Sequence, residues 1–303
     1  MSKVLRGTLY TLAAGIAWGL SGTSGQYLME HGFSALSLTN VRLLLAGLVL
    51  MMLAYATNKD SFKEIWKDKS SLLHISLFAV LGLFINQYAY LAAIHETNAG
   101  TATVLQYLCP VGVLVYTCIK DRVAPTVAQV CSMILAIGGT FLIATHGQIN
   151  QLSMTPKGLF LGIFSAFTYA LYILLPIGLI KKWGSMLVIG IGMTIAGVLL
   201  LPFSGIFQHQ WQFRLDILLA LVGIIVIGTI FAYTVFLKGT SLVGPVKSSL
   251  LASIEPISAV FFAFVIMNER FYLLDFVGMG MILLAVLLIS VKDLILEKKK
   301  GLL

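Results

Sequence analysis

The chain has 303 residues, of which 59% are hydrophobic and 11% charged, and its 20 Lys and Arg outnumber 12 Asp and Glu for a net charge of +8. An ordinary soluble domain carries roughly a quarter charged residues, and no soluble fold of this size has enough polar cover for so much apolar surface. Soluble enzymes and nucleic-acid-binding domains are therefore excluded as classes.

Charges, prolines and polar clusters cut the chain into ten apolar spans of about 20 residues, each long enough to cross about 30 Å of hydrocarbon. They are expected near 8–28, 35–56, 72–93, 98–119, 125–145, 157–180, 184–206, 215–237, 245–267 and 272–292. Lipid offers no partner to unpaired backbone groups, so the spans are expected as helices and the fold as an all-α integral membrane protein. The first span follows MSKVLRG and has the outline of a secretory signal, but its sequence recurs inside the chain and it is expected to stay in place. Cys109, Cys118 and Cys131 lie in or beside spans and read as packing residues, not as a disulfide framework or a metal site. Gly15 with Gly19, and Gly158 with Gly162, have the GxxxG spacing that lets helix backbones approach closely, for general packing or for a dimer face.

The recurrence runs through the whole chain. RGTLYTLAAGIAWGLSG (6–22) answers KGLFLGIFSAFTYALYI (157–173), YLCP (107–110) answers SIEP (253–256), and SMILA (132–136) answers GMILL (280–284). The offsets of 151, 146 and 148 residues are close to half the chain. Five spans per half is an odd number, so the halves enter the membrane from opposite sides. The expected organisation is two inverted five-helix repeats, 1–146 and 157–303, joined by an external linker at 147–156. A duplicated apolar chain of this kind marks a transporter built around a central site.

Charge placement sets the orientation. Sixteen of the 20 Lys and Arg fall in segments on the side of the N-terminus, three (Lys157, Arg214, Arg270) on the other side, and Arg42 lies within a span. That asymmetry predicts both termini in the cytoplasm, with Trp66 and Trp183 at the inner interface and Trp211 at the outer one. All loops are short and carry no GxxxxGK[ST] or strand-bound GxGxxG, so no nucleotide or other cofactor is expected, and nucleic acid is not a partner.

The polar residues within spans are the candidates for chemistry. Glu255, about ten residues into the ninth span, costs about 2.5–3.5 kcal/mol on insertion scales and should face a partner or a wet cavity. It reads as a site for a substrate cation or a proton, or as a carboxylate holding broken backbone near Pro256. Pro110 and Pro256 hold equivalent places in spans four and nine, where each removes a ladder hydrogen bond and frees the carbonyl of Gln106 or Ala252. Thr103, Gln106, Tyr107 and Pro110 share one helical face, as do Ser249, Ala252, Ser253 and Pro256, and such stripes suit a cavity. Trp18 and Tyr169 are matched aromatics at mid-span; with Tyr90, Tyr107 and Tyr233 they form a lining suited to rings or ammonium groups, or they are packing. Asn86 and Gln87 in span three need partners from the cavity or from another helix. Arg42 lies about seven residues into span two and is read as a structural or gating residue with Pro110 and Pro256, the alternatives being a substrate carboxylate, Glu255 or an outward reach. His31, His95, His146 and His209 lack ligand spacing, so no metal is expected.

These residues resemble the drug/metabolite transporter superfamily in its ten-helix form with two EamA-type repeats. The resemblance covers nearly the whole chain and rests on Trp18-Gly19, Arg42-Leu-Leu-Leu-Ala46, Pro110, Glu255-Pro256 and Glu269. It implies a central cavity lined by the first four helices of each half, and transport of amino acids, other small metabolites or organic cations. The first half departs from the pattern, with Asp121 near the place of the closing Glu and Cys109 opposite Glu255. The expectation is a non-enzymatic, multi-pass secondary transporter of the cytoplasmic membrane, monomeric or homodimeric, that exports amino acids or similar small metabolites by alternating access. A proton is the candidate coupling ion. The cavity candidates are Trp18, Asn86, Tyr90, Gln106, Tyr107, Tyr169, Tyr233, Ser253 and Glu255. The alternative is a transporter of organic cations or quaternary amines held by Glu255 and the aromatic lining.

Overall fold

A computed structural model describes residues 2–97, 99–106, 124–145, 155–207 and 214–268, with scattered positions between 109 and 122 and between 272 and 288. Among the described residues the structure is helical, with no strand.

The helices begin where the sequence supplies caps. Ser2 opens α1 (Lys3–Glu30) by accepting the Leu5 amide, and Ser34 opens α2 (Ala35–Thr57) by accepting that of Ser37. Asn58 caps the short α3 (Lys59–Glu64), and Asp68 caps α4 (Lys69–Glu96). After α5 (Ala99–Gln106) and α6 (Val127–Thr145), Thr155 caps α7 (Pro156–Leu174) with Pro156 in its first turn. Each cap satisfies an amide that the helix leaves without a partner, and proline in the first turn sacrifices no bond. A turn at Pro176 separates α7 from α8 (Ile177–Trp183), and Gly184, at φ 82°, leads into α9 (Ser185–Leu200). The chain continues through α10 (Leu215–Val243), α11 (Pro245–Leu251) and α12 (Ile254–Met267).

Among the described residues, five stretches are long and apolar enough to cross a membrane: Ala35–Thr57, Lys69–Glu96, Pro156–Trp183, Ser185–Phe203 and Leu215–Val243. Shorter apolar helices, α12 among them, accompany these. Leu45, Met52, Phe160, Phe167, Leu219 and Phe264 are exposed, and in a membrane protein such side chains meet lipid. The expected span 245–267 differs in form: the helix breaks at Ala252–Ser253, so Glu255 stands in the first turn of a new helix rather than in mid-helix. Pro256 is the cause. Its missing N–H frees the Ala252 carbonyl, which accepts the Glu255 amide at 2.9 Å in a tighter turn.

Two of the long helices are not regular α-helix throughout. Helix α4 winds as a π-helix over Phe78–Phe84, and α10 does so over Gly223–Phe231. The two stretches begin 145 residues apart and end 147 apart, close to the 146 to 151 residues that separate the sequence repeats.

Packing pairs each half with the other. Helix α1 lies against α10 and α12, α7 against α4 and α5, and α2 against α9. Glycine makes the first contact possible: a Cβ on Gly19 would stand 2.5 Å from Ser258 Cβ and 2.6 Å from the Ala259 nitrogen. Gly162 is equally tight against Leu105, and Gly47 against Thr194. The GxxxG pairs therefore serve packing within the chain. The first helix of each repeat crosses helices of the other half, and the space enclosed where they meet holds the candidate site.

Candidate functional site

The enclosed space is a cavity of about 20 Å³, room for roughly one water molecule, lined by Trp18, Ser21, Arg42, Asn86, Gln87, Tyr90, Gln106, Tyr169, Tyr233 and Glu255. Seven of the nine expected cavity residues are on this wall. Tyr107 and Pro110 lie outside the described residues. Ser253 is fully buried at the break before α12; it is not on the wall, and its hydroxyl has no hydrogen bond.

Trp18 is the centre of the aromatic side. Its ring meets Tyr233 edge-on at 5.4 Å and Tyr169 at 5.9 Å, and tilts against Phe236 at 4.8 Å. Tyr172 stacks on Tyr169 at 5.7 Å behind them. Offset and edge-on ring pairs of this kind hold each other in place and keep the cavity walls stiff.

The polar side is built from α4, α5 and α7. Tyr90 reaches Thr103 Oγ1 at 2.9 Å. That hydroxyl gives its own proton to the Ala99 carbonyl at 2.6 Å, so Tyr90 is the donor in the pair. Asn86 Oδ1 accepts from Gln106 Nε2 at 3.4 Å and lies 3.1 Å from Thr168 Oγ1. Two of the expected cavity residues, Asn86 and Gln106, are thus bonded to each other as well as lining the space.

Arg42 joins the wall from α2 and is anchored on the π-helical stretch of α10. Its Nε donates to Thr229 Oγ1 at 2.5 Å and its Nη2 to the Gly228 carbonyl at 3.1 Å, while the guanidinium lies 5.6 Å from the Tyr233 ring centre. The Thr229 hydroxyl in turn bonds the Ile224 carbonyl, five residues back, at 2.6 Å. The arginine neither snorkels outward nor stands away from the site; it binds the irregular backbone that forms one wall. Ser21 approaches the same stretch at Gly228, where a Cβ would leave it no space.

Glu255 is 3% exposed and lines the cavity from the first turn of α12. The cavity wall therefore carries one acid and one base, on helices from different halves of the chain. Several wall atoms are buried without a hydrogen bond of good geometry: Trp18 Nε1, the Tyr169 hydroxyl, and both ends of the Gln87 amide, which has only a weak interaction with the Tyr233 hydroxyl. Such groups are uncommon in native interiors, where water, an ion or a ligand ordinarily supplies the missing bonds.

Ser21 and Gln87 were not among the expected cavity residues. Gln87 carried a signal, as a polar residue in mid-span, whereas Ser21 in a small-residue run carried none. Among the described residues no group of three His, Cys, Asp or Glu comes together to hold a metal.

Comparison with known proteins agrees with this architecture. The EamA-like transporter family matches twice, over residues 5–145 and 156–291. The chain is 35% identical to the uncharacterized inner membrane transporter YicL of Salmonella typhimurium over 96% of this chain and 97% of that protein. It is 25% identical to an uncharacterized transporter of Archaeoglobus fulgidus, over 89% and 92% of the two chains, and 25% identical to the uncharacterized transporter YetK of Bacillus subtilis, over 93% and 86%. A solved crystal structure with 15% sequence identity shares the fold, with a TM-score of 0.70 over 96% of this chain and 98% of that one. With two copies of the family's domain and a fold of apolar helices, the chain belongs to the EamA-like transporter family and is a multi-pass membrane transporter.

Proposed function

We propose that the chain is a secondary transporter of the cytoplasmic membrane that exports amino acids or similar small metabolites, binding them between Glu255 and Arg42 in a state in which the walls of this closed, water-sized cavity have moved apart. One observation carries the reading: an acidic and a basic side chain share a wall with aromatic rings and unpaired hydrogen-bonding groups. A zwitterion needs this combination, its ammonium directed to the carboxylate and the aromatic faces, its carboxylate to the guanidinium and the indole and phenol donors. Around this site ten helices form two inverted repeats, 1–146 and 157–303, with residues 147–156 as an external linker and both termini in the cytoplasm. The repeats rock about the site in alternating access, and Glu255 is the group that exchanges substrate for a proton.

The test is ligand-induced thermal stabilisation of purified protein with amino acids, polyamines and quaternary amines, on wild type and Glu255→Gln together. Selective binding raises the melting temperature by mass action. The reading requires stabilisation by zwitterionic amino acids, and in proteoliposomes Glu255→Gln should lose proton-dependent transport. Wild-type transport with an unchanged pH profile in that variant would remove Glu255 from the mechanism. A second reading, transport of organic cations, draws on the ring cluster of Trp18, Tyr169 and Tyr233 beside Glu255. Stabilisation by cations alone, lost in Glu255→Gln, would establish it in place of the first.

A further inference from the structure

The Gln87 side chain is the least explained group on the cavity wall. It lies in α4 three residues beyond the π-helical stretch, is 1% exposed, and leaves both amide Nε2 and amide Oε1 without a hydrogen bond. A buried polar group without a partner is costly, and here one side chain carries two. Its neighbour Asn86 is bonded to Gln106, and Tyr90, one turn on, to Thr103, so among these polar residues of α4 it is Gln87 whose side chain makes no such bond. The residue 146 positions later, at the corresponding place in the second half, is Tyr233, which lines the same cavity. One wall thus offers a planar amide where its counterpart offers a phenol.

An amide in this situation has a definite complement. It presents one N–H donor and one carbonyl acceptor in a single plane, and a primary carboxamide answers both at once through two parallel hydrogen bonds. A carboxylate answers only the donor and an ammonium only the acceptor, so either leaves half of the amide unpaired. Apolar groups leave both halves unpaired. Among the side-chain groups that amino acids carry at neutral pH, the carboxamide is the one that presents a donor and an acceptor together in one plane, and a site whose polar groups match a ligand's in this way discriminates by more than an apolar pocket can.

We infer that Gln87 is a specificity-determining residue that selects substrates bearing a primary carboxamide. The inference rests on the reading of this cavity as the substrate site and goes beyond it by naming a group that the substrate carries. Charge recognition by Glu255 and Arg42 is a separate matter, as Gln87 is neutral.

The experiment compares wild type with Gln87→Met, which keeps the length of the side chain and removes the amide, and it has three readouts. The first is the melting temperature of ligand-free protein. Because no hydrogen bond is lost, Gln87→Met should melt at or above wild type; a clear fall would show that the amide has a structural partner and would overturn the inference. The second is binding of L-glutamine against L-methionine, similar in length with and without the carboxamide. Wild type should prefer glutamine by about tenfold to a hundredfold, and Gln87→Met should lose that preference. Equal binding of both by wild type would leave the amino-acid reading standing and remove the role of Gln87. The third is acetamide against acetone, which have nearly the same shape and no zwitterion. If no amino acid binds but acetamide stabilises wild type over acetone and Gln87→Met abolishes the difference, the assignment of Gln87 holds and the amino-acid reading fails. If acetamide shows no advantage in wild type, the inference about Gln87 is wrong whatever the amino acids do.

Discussion

Arg42 shows how a charged residue is kept at the depth of a membrane span. Isolated, it would cost several kcal/mol, and the structure meets that cost with the Thr229 hydroxyl, the Gly228 carbonyl and the face of Tyr233. Thr229 is fully buried, and its replacement by the equally shaped valine leaves Nε without its acceptor. Thr229→Val should lower stability by about 1.5–3 kcal/mol, as expected for a hydrogen bond to a charged group. Thermal unfolding in detergent measures this, and an unchanged melting temperature would mean that the arginine finds another partner at no cost. The sequence singled out Arg42 as unusual but not its anchor, since Thr229 lies 187 residues away and looks in the sequence like one of many small polar residues in an apolar run. Glu255 was legible in the same way: its burial and its place on a wall were implied by its depth in the span, whereas its position in a first turn followed only from the way Pro256 broke the helix.

At the scale of elements, the decisive contacts are helix crossings made at glycine. The α1–α12 crossing has the backbone of α12 directly against Gly19, so even a methyl group must displace Ser258 and Ala259. Gly19→Ala should therefore destabilise the protein by about 1–3 kcal/mol through overpacking, although alanine is the better helix former. Gly178 provides the control, because nothing stands within 4 Å of the Cβ it would acquire. Gly178→Ala should leave the melting temperature unchanged or raise it, and equal effects at both positions would refute the packing argument. The GxxxG spacing was readable from sequence, but the partner of each glycine was not. The two π-helical stretches were not readable at all. Their sequences, FAVLGLF and GIIVIGTIF, are ordinary apolar runs, and a π-turn is fixed by tertiary contacts rather than by residue propensity.

For the whole molecule, the polar contacts near its two ends differ. At the end away from the N-terminus, Tyr27 donates to Asp216 at 2.7 Å, the Ala99 amide to Gln26 at 3.2 Å, and Lys157 pairs with Glu96 at 2.7 Å, tying α1 to α10 and α5, and α4 to α7. At the lysine-rich end a pocket of about 460 Å³ opens between α2, α8, α9 and α10, and Lys182 pairs with Asp68 at 2.6 Å. If these contacts hold one end shut, the double variant Glu96→Gln with Asp216→Asn should make a cysteine at Ser21 react faster with a thiol reagent added from that side. An unchanged rate would show that the contacts are not a gate. The Asp68 contact has its own signature. Lys182 and the hydrogen bonds of Ser71 hold the Asp68 carboxyl below its ordinary range, so its contribution is complete above the unfolded value of about 3.9 and is lost as pH falls through the depressed folded one. Asp68→Asn should accordingly lower the melting temperature at neutral pH, and the difference from wild type should narrow below about pH 4; a difference that is constant with pH would exclude the ion pair as its source. The sequence by itself determined the membrane class, most helix positions and the duplication, because these follow from hydropathy, the charges and prolines that interrupt it, and internal recurrence, all of which are written along the chain. It also picked out most of the residues that meet at the cavity, since a polar side chain in a span is costly unless it has company. Which of them face one another was decided only in the tertiary structure. Helical period fixes faces within one helix, but the rotation of each helix against its neighbours comes from the glycine crossings, and a π-turn adds a residue and swings everything beyond it by about 100°. Gln87 lies beyond the π-turns of α4 and lines the wall beside Asn86, whereas Ser253 lies at the break before α12 and does not.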